Sequence, residues 1–242
     1  MQKKIHFIIV GGQRCGTTWL SRLLETHPAI RMAKPLKPEP KYFLRSDVSY
    51  AGYMNAFFSD DQCQVLGEKS TSYYELPEVA QKINKLIPSS KIVFMLRNPV
   101  DRAISNYYFT CYHGYETRSP EETFLFNKPL PTVKPNTSVN PFNYVERGFY
   151  SKFITEYIKI FGSARVKCIN FERAISDFSE IEQLYEFLSV EKRPCPVQFS
   201  SKYNEGLNFK AVPVLVRNRL VEIYQDELQV MANYLDVSNW MR

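Results

Sequence analysis

The stretch GGQRCGTT at positions 11–18 nearly completes the phosphate-binding loop G-x-x-x-x-G-K-[ST]. Gly11, Gly16 and Thr18 stand in register, but Thr17 occupies the lysine position. A glycine turn that opens a helix offers an anion its backbone N–H groups and the positive end of the helix dipole, and neither needs that lysine. A lone Gly11-Gly12 pair would indicate only a tight turn, which is the plain alternative. In nucleotide hydrolases the lysine contacts the β- and γ-phosphates, and an acidic strand end helps to hold magnesium. Here the apolar run KIVFML (91–96) ends in Arg97, so a cation stands where an acid would. Arg14 with the loop amides at one point and Arg97 at another suit two separated anionic groups. A nucleotide phosphorylated at both its 5′ and 3′ ends has that form.

The surrounding pattern predicts how these residues are carried. KIHFIIV reads as a buried strand entering the glycine turn. A helix follows from about Thr17 to His27-Pro28, with Trp19, Leu20, Leu23 and Leu24 on one face. PEVAQKINKLIP is a second helix with Pro77 in its first turn, and it leads into the strand 91–96. Asn98 caps a helix whose first turn holds Pro99, so a second strand feeds a helix N-terminus. GFYSKFITEYIKIFG reads as a helix stopped by Gly162, RVKCINF as a strand, and about 212–235 as a closing helix. Such alternation predicts an α/β fold: a P-loop-like parallel β-sheet flanked by helices, in a single domain spanning 1–242. The Pro-, Asn- and Thr-rich stretch at about 113–146 shows no period and is expected to form a flap on the substrate side.

With those elements in place, GGQRCGTTWL resembles the 5′-phosphosulfate loop of sulfotransferases that use 3′-phosphoadenosine 5′-phosphosulfate (PAPS). RNPVDRAISNYY resembles their 3′-phosphate motif R-x-P-x-x-x-x-x-S. The resemblance continues in KPEPKYF (37–43), GEKSTSYY (67–74) and RGFYSKFITEYIKIFG (147–162), and so spans most of the chain. Its flavour is that of the carbohydrate, heparan-type and bacterial small-molecule enzymes more than the cytosolic phenol and steroid ones. It implies PAPS as sulfuryl donor and no metal. Gly12, Arg14, Cys15, Gly16, Thr17, Thr18 and Trp19 are then expected around the donor, with Arg97 and Ser105 on its 3′-phosphate and Lys202 or Lys210 closing over it. The family usually has lysine where Arg14 stands; arginine keeps the charge but is a poorer proton donor, which leaves electrostatic stabilisation as its role. The resemblance places Glu39 as the base that takes the acceptor's proton. His113 is the competing base, because imidazole titrates near neutrality. Lys41, Lys69 and Ser70 are auxiliary candidates, while His6 and His27 read as structural.

Composition narrows the partners. The chain has 242 residues and a net charge of +6 spread along its length, which favours anionic ligands without forming a nucleic-acid tail. The opening apolar run is too short for a secretory or membrane segment, and five cysteines without C-x-x-C spacing support neither a disulfide framework nor zinc. A soluble cytoplasmic enzyme acting on a small metabolite or saccharide, without nucleic acid or membrane, is the expectation. The Asn136-Thr137-Ser138 sequon is then incidental. Two rivals stay open: a P-loop kinase or nucleotide hydrolase, and a catalytically degenerate module that binds a nucleotide or a sulfated ligand.

Overall fold

In the computed structural model, residues 4–59, 62–126, 128–133, 137–200 and 212–241 are described. The first apolar run forms β1 (Ile5–Gly11), whose loop leads into α1 (Thr17–Glu25) and then β2 (Ile30–Met32). Helix α2 (Tyr50–Phe57) precedes β3 (Val65–Lys69), and α3 (Pro77–Leu86) precedes β4 (Lys91–Leu96). Helix α4 (Pro99–Tyr112) starts where expected: the Asn98 side chain accepts from the N–H groups of Val100 and Asp101. Next come α5 (Pro120–Phe124), α6 (Tyr150–Phe161), β5 (Val166–Asn170) and α7 (Phe171–Ser176). Helices α8 (Ser179–Leu188), α9 (Val197–Ser200) and α10 (Val214–Met231) complete the order.

Among the described residues the sheet has five parallel strands in the order β2-β3-β1-β4-β5. Both of its faces are covered, which is why the strands read as continuous apolar runs. Alternation still decides which helix each residue meets. Ile8, Val10, Ile92 and Phe94 pack with α3 and α6, whereas Phe7, Ile9, Val93 and Met95 pack with α1 and α8. The result is the single α/β domain that the alternation predicts. Because β1 lies between β3 and β4, its C-terminal loop emerges between the ends of both, the crevice where parallel sheets receive ligands.

Two features depart from the sequence reading. Strands β2 and β3 carry no periodic signal, since β3 is VLGEK, with a glycine and two charged residues that are all buried. The stretch 113–146 is not uniformly irregular: Ser119 and Glu122 form a capping box that starts α5. Phe124, Phe142 and Tyr144 of that stretch are buried against α4 and α10.

His6 is structural, as expected. Only 3% exposed, it meets the Tyr50 hydroxyl through Nε2 at 3.2 Å while Nδ1 has no partner among the described residues. Burial, helped by Lys4, draws its pKa from the ordinary 6.5 to about 4. The unfolded chain therefore binds a proton between those values that the folded chain refuses, and stability falls as the pH drops through that window. A shift of this size corresponds to about 3 kcal/mol. Denaturant titrations should show that His6→Leu loses less stability than the wild type between neutral pH and about pH 4; parallel pH dependences would contradict this account.

Candidate active site

The loop after β1 is tied to β4, because Gly12 N–H donates to the Met95 carbonyl at 2.7 Å. Gly16 caps α1 with a φ of 80°, and a Cβ there would lie 2.3 Å from Phe171 Cε2. Glycine is thus required by conformation and by space, and its small size lets the loop close onto α7. Arg14 also has positive φ, 67°, which turns its side chain toward α4. There its Nε donates to Ser105 Oγ at 3.2 Å, and its guanidinium lies 4.5 Å from the centre of the Phe109 ring. Cys15 is fully buried beside the Tyr150 hydroxyl, and burial pushes its thiol up to about 11, so it packs the loop as a neutral thiol.

The cleft over this loop has a volume of about 260 Å³. Four cations line it, Arg14, Arg22, Lys37 and Arg97, and no carboxylate does among the described residues. Thr17, Thr18 and Ser105 add hydroxyls, while Trp19 and Phe171 form aromatic walls. Arg97 leaves the end of β4 over Phe171, 5.7 Å from the ring centre, and approaches Glu172 Oε1 only to 3.8 Å. Its Nε is buried without a hydrogen-bond partner among the described residues. Glu172 is occupied elsewhere: it accepts from Trp240 Nε1 at 2.9 Å and from Asn98 N–H at 3.1 Å. Burial, and then the neighbouring Arg97, pull the pKa of Arg14 below its usual value.

Across the loop, the end of β3 holds Glu39. Lys69, whose side chain is 3% exposed, places Nζ 2.8 Å from Glu39 Oε1. Thr71 donates its N–H to Oε2 at 2.9 Å and its hydroxyl to Oε1 at 2.9 Å. Lys41 Nζ donates to Ser138 Oγ at 2.9 Å, which joins the Glu39 segment to the 113–146 stretch. Strand order thus sets Glu39 and Arg97 on opposite sides of the glycine loop.

The remaining candidates fall elsewhere. His113 lies exposed at the C-terminal end of α4, where its ring contacts Phe109 at 4.4 Å, Tyr112 and Tyr115. Phe109, not His113, is the ring that touches Arg14. Lys202 and Lys210 lie outside the described residues. Sequence reasoning passed over Arg22 and Lys37, and it gave no role to Thr71. Arg22 follows Thr18 by four residues on α1, a spacing that puts both on one helix face.

A parallel sheet with a glycine loop at its switch point, beside a cleft that cations and no carboxylate line among the described residues, makes a P-loop-like α/β core. The chain belongs to the sulfotransferase domain family, which matches residues 4–214. PAPS is the sulfuryl donor typical of that family. It is 27% identical over 187 residues to human heparan sulfate glucosamine 3-O-sulfotransferase 3B1, covering 76% of this chain and 46% of that protein. With the mouse heparan sulfate glucosamine 3-O-sulfotransferase 5 it shares 29% over 194 residues, 77% of this chain and 54% of the other. The chain thus spans about half the length of the curated relatives it matches. A crystal structure of a sulfotransferase from Alicyclobacillus acidocaldarius superposes with a TM-score of 0.76 at 26% identity, covering 98% of each chain. Mouse SULT7A1 complexed with PAP shares the fold at a TM-score of 0.52 and 14% identity over 99% of this chain and 88% of its own.

Proposed function

We propose that this chain transfers a sulfuryl group from PAPS to a hydroxyl, less readily an amine, of a small metabolite or saccharide, with Glu39 as the base. The observation that carries the reading is the division of the site, with four cations on the cleft side of the glycine loop and one fixed carboxylate at the neighbouring strand end. Among the described residues, Arg97 Nε has no hydrogen-bond partner and no carboxylate lines the cleft, which fits a doubly phosphorylated anion. PAPS supplies an activated sulfuryl group on its 5′-phosphate when bound. Gly12, Cys15, Gly16, Thr17 and Thr18 form the cradle for that end, Trp19 gives an aromatic wall, and Arg97 with Ser105 takes the 3′-phosphate. Glu39 removes the acceptor's proton at a carboxylate oxygen oriented by Lys69 and Thr71. Arg14 meets the negative charge that grows on the leaving phosphate, as a fixed cation already in place before reaction.

The contact from Lys41 to Ser138 supports reading 113–146 as a flap over the acceptor. The relatives named as heparan sulfate enzymes support a saccharide among the acceptors. A cytoplasmic setting is part of the proposal; no helix among the described residues is long and apolar enough to cross a membrane. Incubation with ³⁵S-labelled PAPS and a panel of glucosamine oligosaccharides, phenols and alkyl alcohols tests the proposal. Labelled acceptor is the expected result; nucleotide binding without transfer would make the chain a binding module, and magnesium-dependent ATP hydrolysis would make it a nucleotide hydrolase.

A further inference from the structure

Glu68 sits in the middle of the sheet, paired with Ile8 of β1 and 0% exposed, where an apolar side chain would ordinarily pack. It does not line the cleft, and Glu39 is a like charge nearby rather than a hydrogen-bond partner. Its Oε1 instead accepts two hydroxyl bonds, from Ser70 Oγ at 2.7 Å and from the Tyr73 hydroxyl at 2.6 Å. Each of those oxygens accepts in turn from the backbone: Lys41 N–H reaches Ser70 Oγ at 2.9 Å, and Phe43 N–H reaches the Tyr73 hydroxyl at 3.0 Å. A hydroxyl has one proton, so both relays have a fixed direction, from the backbone through the hydroxyl to Glu68. Two amides of the segment that carries Glu39 therefore hang from one carboxyl oxygen.

Lys41 shows why that anchorage matters. Its φ is 49°, a left-handed conformation that residues other than glycine seldom adopt, and it lies two residues after Glu39. The chain holds this conformation where Ser70 grips the Lys41 N–H, and from the same strand end Lys69 and Thr71 grip the Glu39 carboxylate. Residues 68–71 thus fix both the backbone of the segment and the oxygen atoms at its tip.

We propose that Glu68 is a positioning residue for sulfuryl transfer, acting through Ser70 and Tyr73 on the backbone that sets the reach of Glu39. The inference rests on the proposed role of Glu39 as base. Both relay bonds end on Oε1, while Oε2 makes no close hydrogen bond among the described residues and the buried Tyr53 hydroxyl is a further neighbour of the carboxyl, so a carboxamide keeps the acceptor that the relays use. Burial, opposed by the Tyr73 and Ser70 bonds, raises the pKa of Glu68, and the relay stays intact in either protonation state because the bonded oxygen remains an acceptor.

The test compares Glu68→Gln and Glu68→Leu in the wild-type and Glu39→Gln backgrounds. It reads kcat on the panel acceptor that the wild type labels best, together with the dissociation constant of 3′-phosphoadenosine 5′-phosphate (PAP) and the thermal midpoint. Misplacing a reacting group by an ångström costs about 100-fold, so Glu68→Leu is expected to lose kcat on that order with PAP affinity unchanged. Glu68→Gln should stay within about threefold of the wild type, and adding Glu68→Leu to Glu39→Gln should cost no more than about threefold, because the two act on one step. Unchanged kcat in Glu68→Leu, or an equal loss in both backgrounds, overturns the inference while leaving the Proposed function standing. A wild type that labels no acceptor overturns both. If Glu68→Leu does not fold, Ser70→Ala and Tyr73→Phe each remove one relay; a kcat loss with normal PAP binding supports the inference, and unchanged kcat in both overturns it.

Discussion

Glu39→Gln should lower kcat by about 10²–10⁴-fold, the contribution ordinarily made by a positioned general base, while PAP binds as to the wild type. The substitution keeps shape and one carbonyl-type oxygen but removes the carboxylate proposed to take the proton. The expected pattern is a fall in kcat and kcat/KM together, the signature of an interaction made in the transition state. A second effect must be separated from it. Lys69 is almost wholly buried and its partner is Glu39, so the variant strands a buried ammonium, and breaking such a pair destabilises by roughly 3–5 kcal/mol. Glu39 itself is 16% exposed, which places the loss toward the lower figure. Glu39→Gln combined with Lys69→Met resolves the two, because it removes the stranded charge without restoring a base. The thermal midpoint should recover in the double variant and kcat should not. Near-normal kcat in Glu39→Gln, or recovery of kcat with stability, would remove Glu39 from the chemistry.

The parts of this site that were legible in the sequence are those set by local rules. GGQRCGTT announces a turn and a helix start because glycine and threonine are needed there for backbone reasons, and RNPVDR does the same through the Asn98 cap and Pro99. Position in the sheet then follows, since each motif trails an apolar run. What was not legible depends on tertiary pairing. VLGEK looks too polar for a central strand because Glu68 and Lys69 are buried beside partners that lie 2 to 30 residues away in sequence. Lys69 reads as a solvated charge until Glu39 is brought to it by the 37–43 segment. Arg22 was findable by helical spacing, whereas Lys37 joins the cleft only through the path of a loop. His113 is of a residue type suited to a base, yet it stands at the C-terminal end of α4, and Phe109 is the ring beside Arg14. Residue type suggested the chemistry for both candidate bases, and of the two Glu39 is the one held at the β3 end, by Lys69 and Thr71.

Arg14→Ala should lower kcat by about 10²–10³-fold, the usual loss when one preorganised group that meets developing charge is removed. The comparison with Arg14→Lys decides what property of Arg14 is used. Lysine restores the residue usual in the family and keeps the charge, but it has no planar group to lie 4.5 Å over Phe109 while donating to Ser105. If charge is what acts, Arg14→Lys should stay within about tenfold of the wild type. The two cations then differ in their response to pH. The guanidinium of Arg14 has its pKa pulled down by burial and by Arg97, yet it starts so high that it stays charged across the working range. An ammonium in the same surroundings starts about two pKa units lower and is depressed by the same burial and the same neighbour, so it loses its proton at a lower pH. If the cationic form is the active one, Arg14→Lys should gain an alkaline limb in kcat that the wild type lacks, with activity falling as the pH rises. Initial rates from neutral to about pH 10, within the range where lysine titrates, read this directly. Equal profiles for the two proteins would mean that the bond to Ser105 or the stack on Phe109, and not the charge alone, sets the rate. An Arg14→Ala variant as fast as the wild type would take Arg14 out of the reaction.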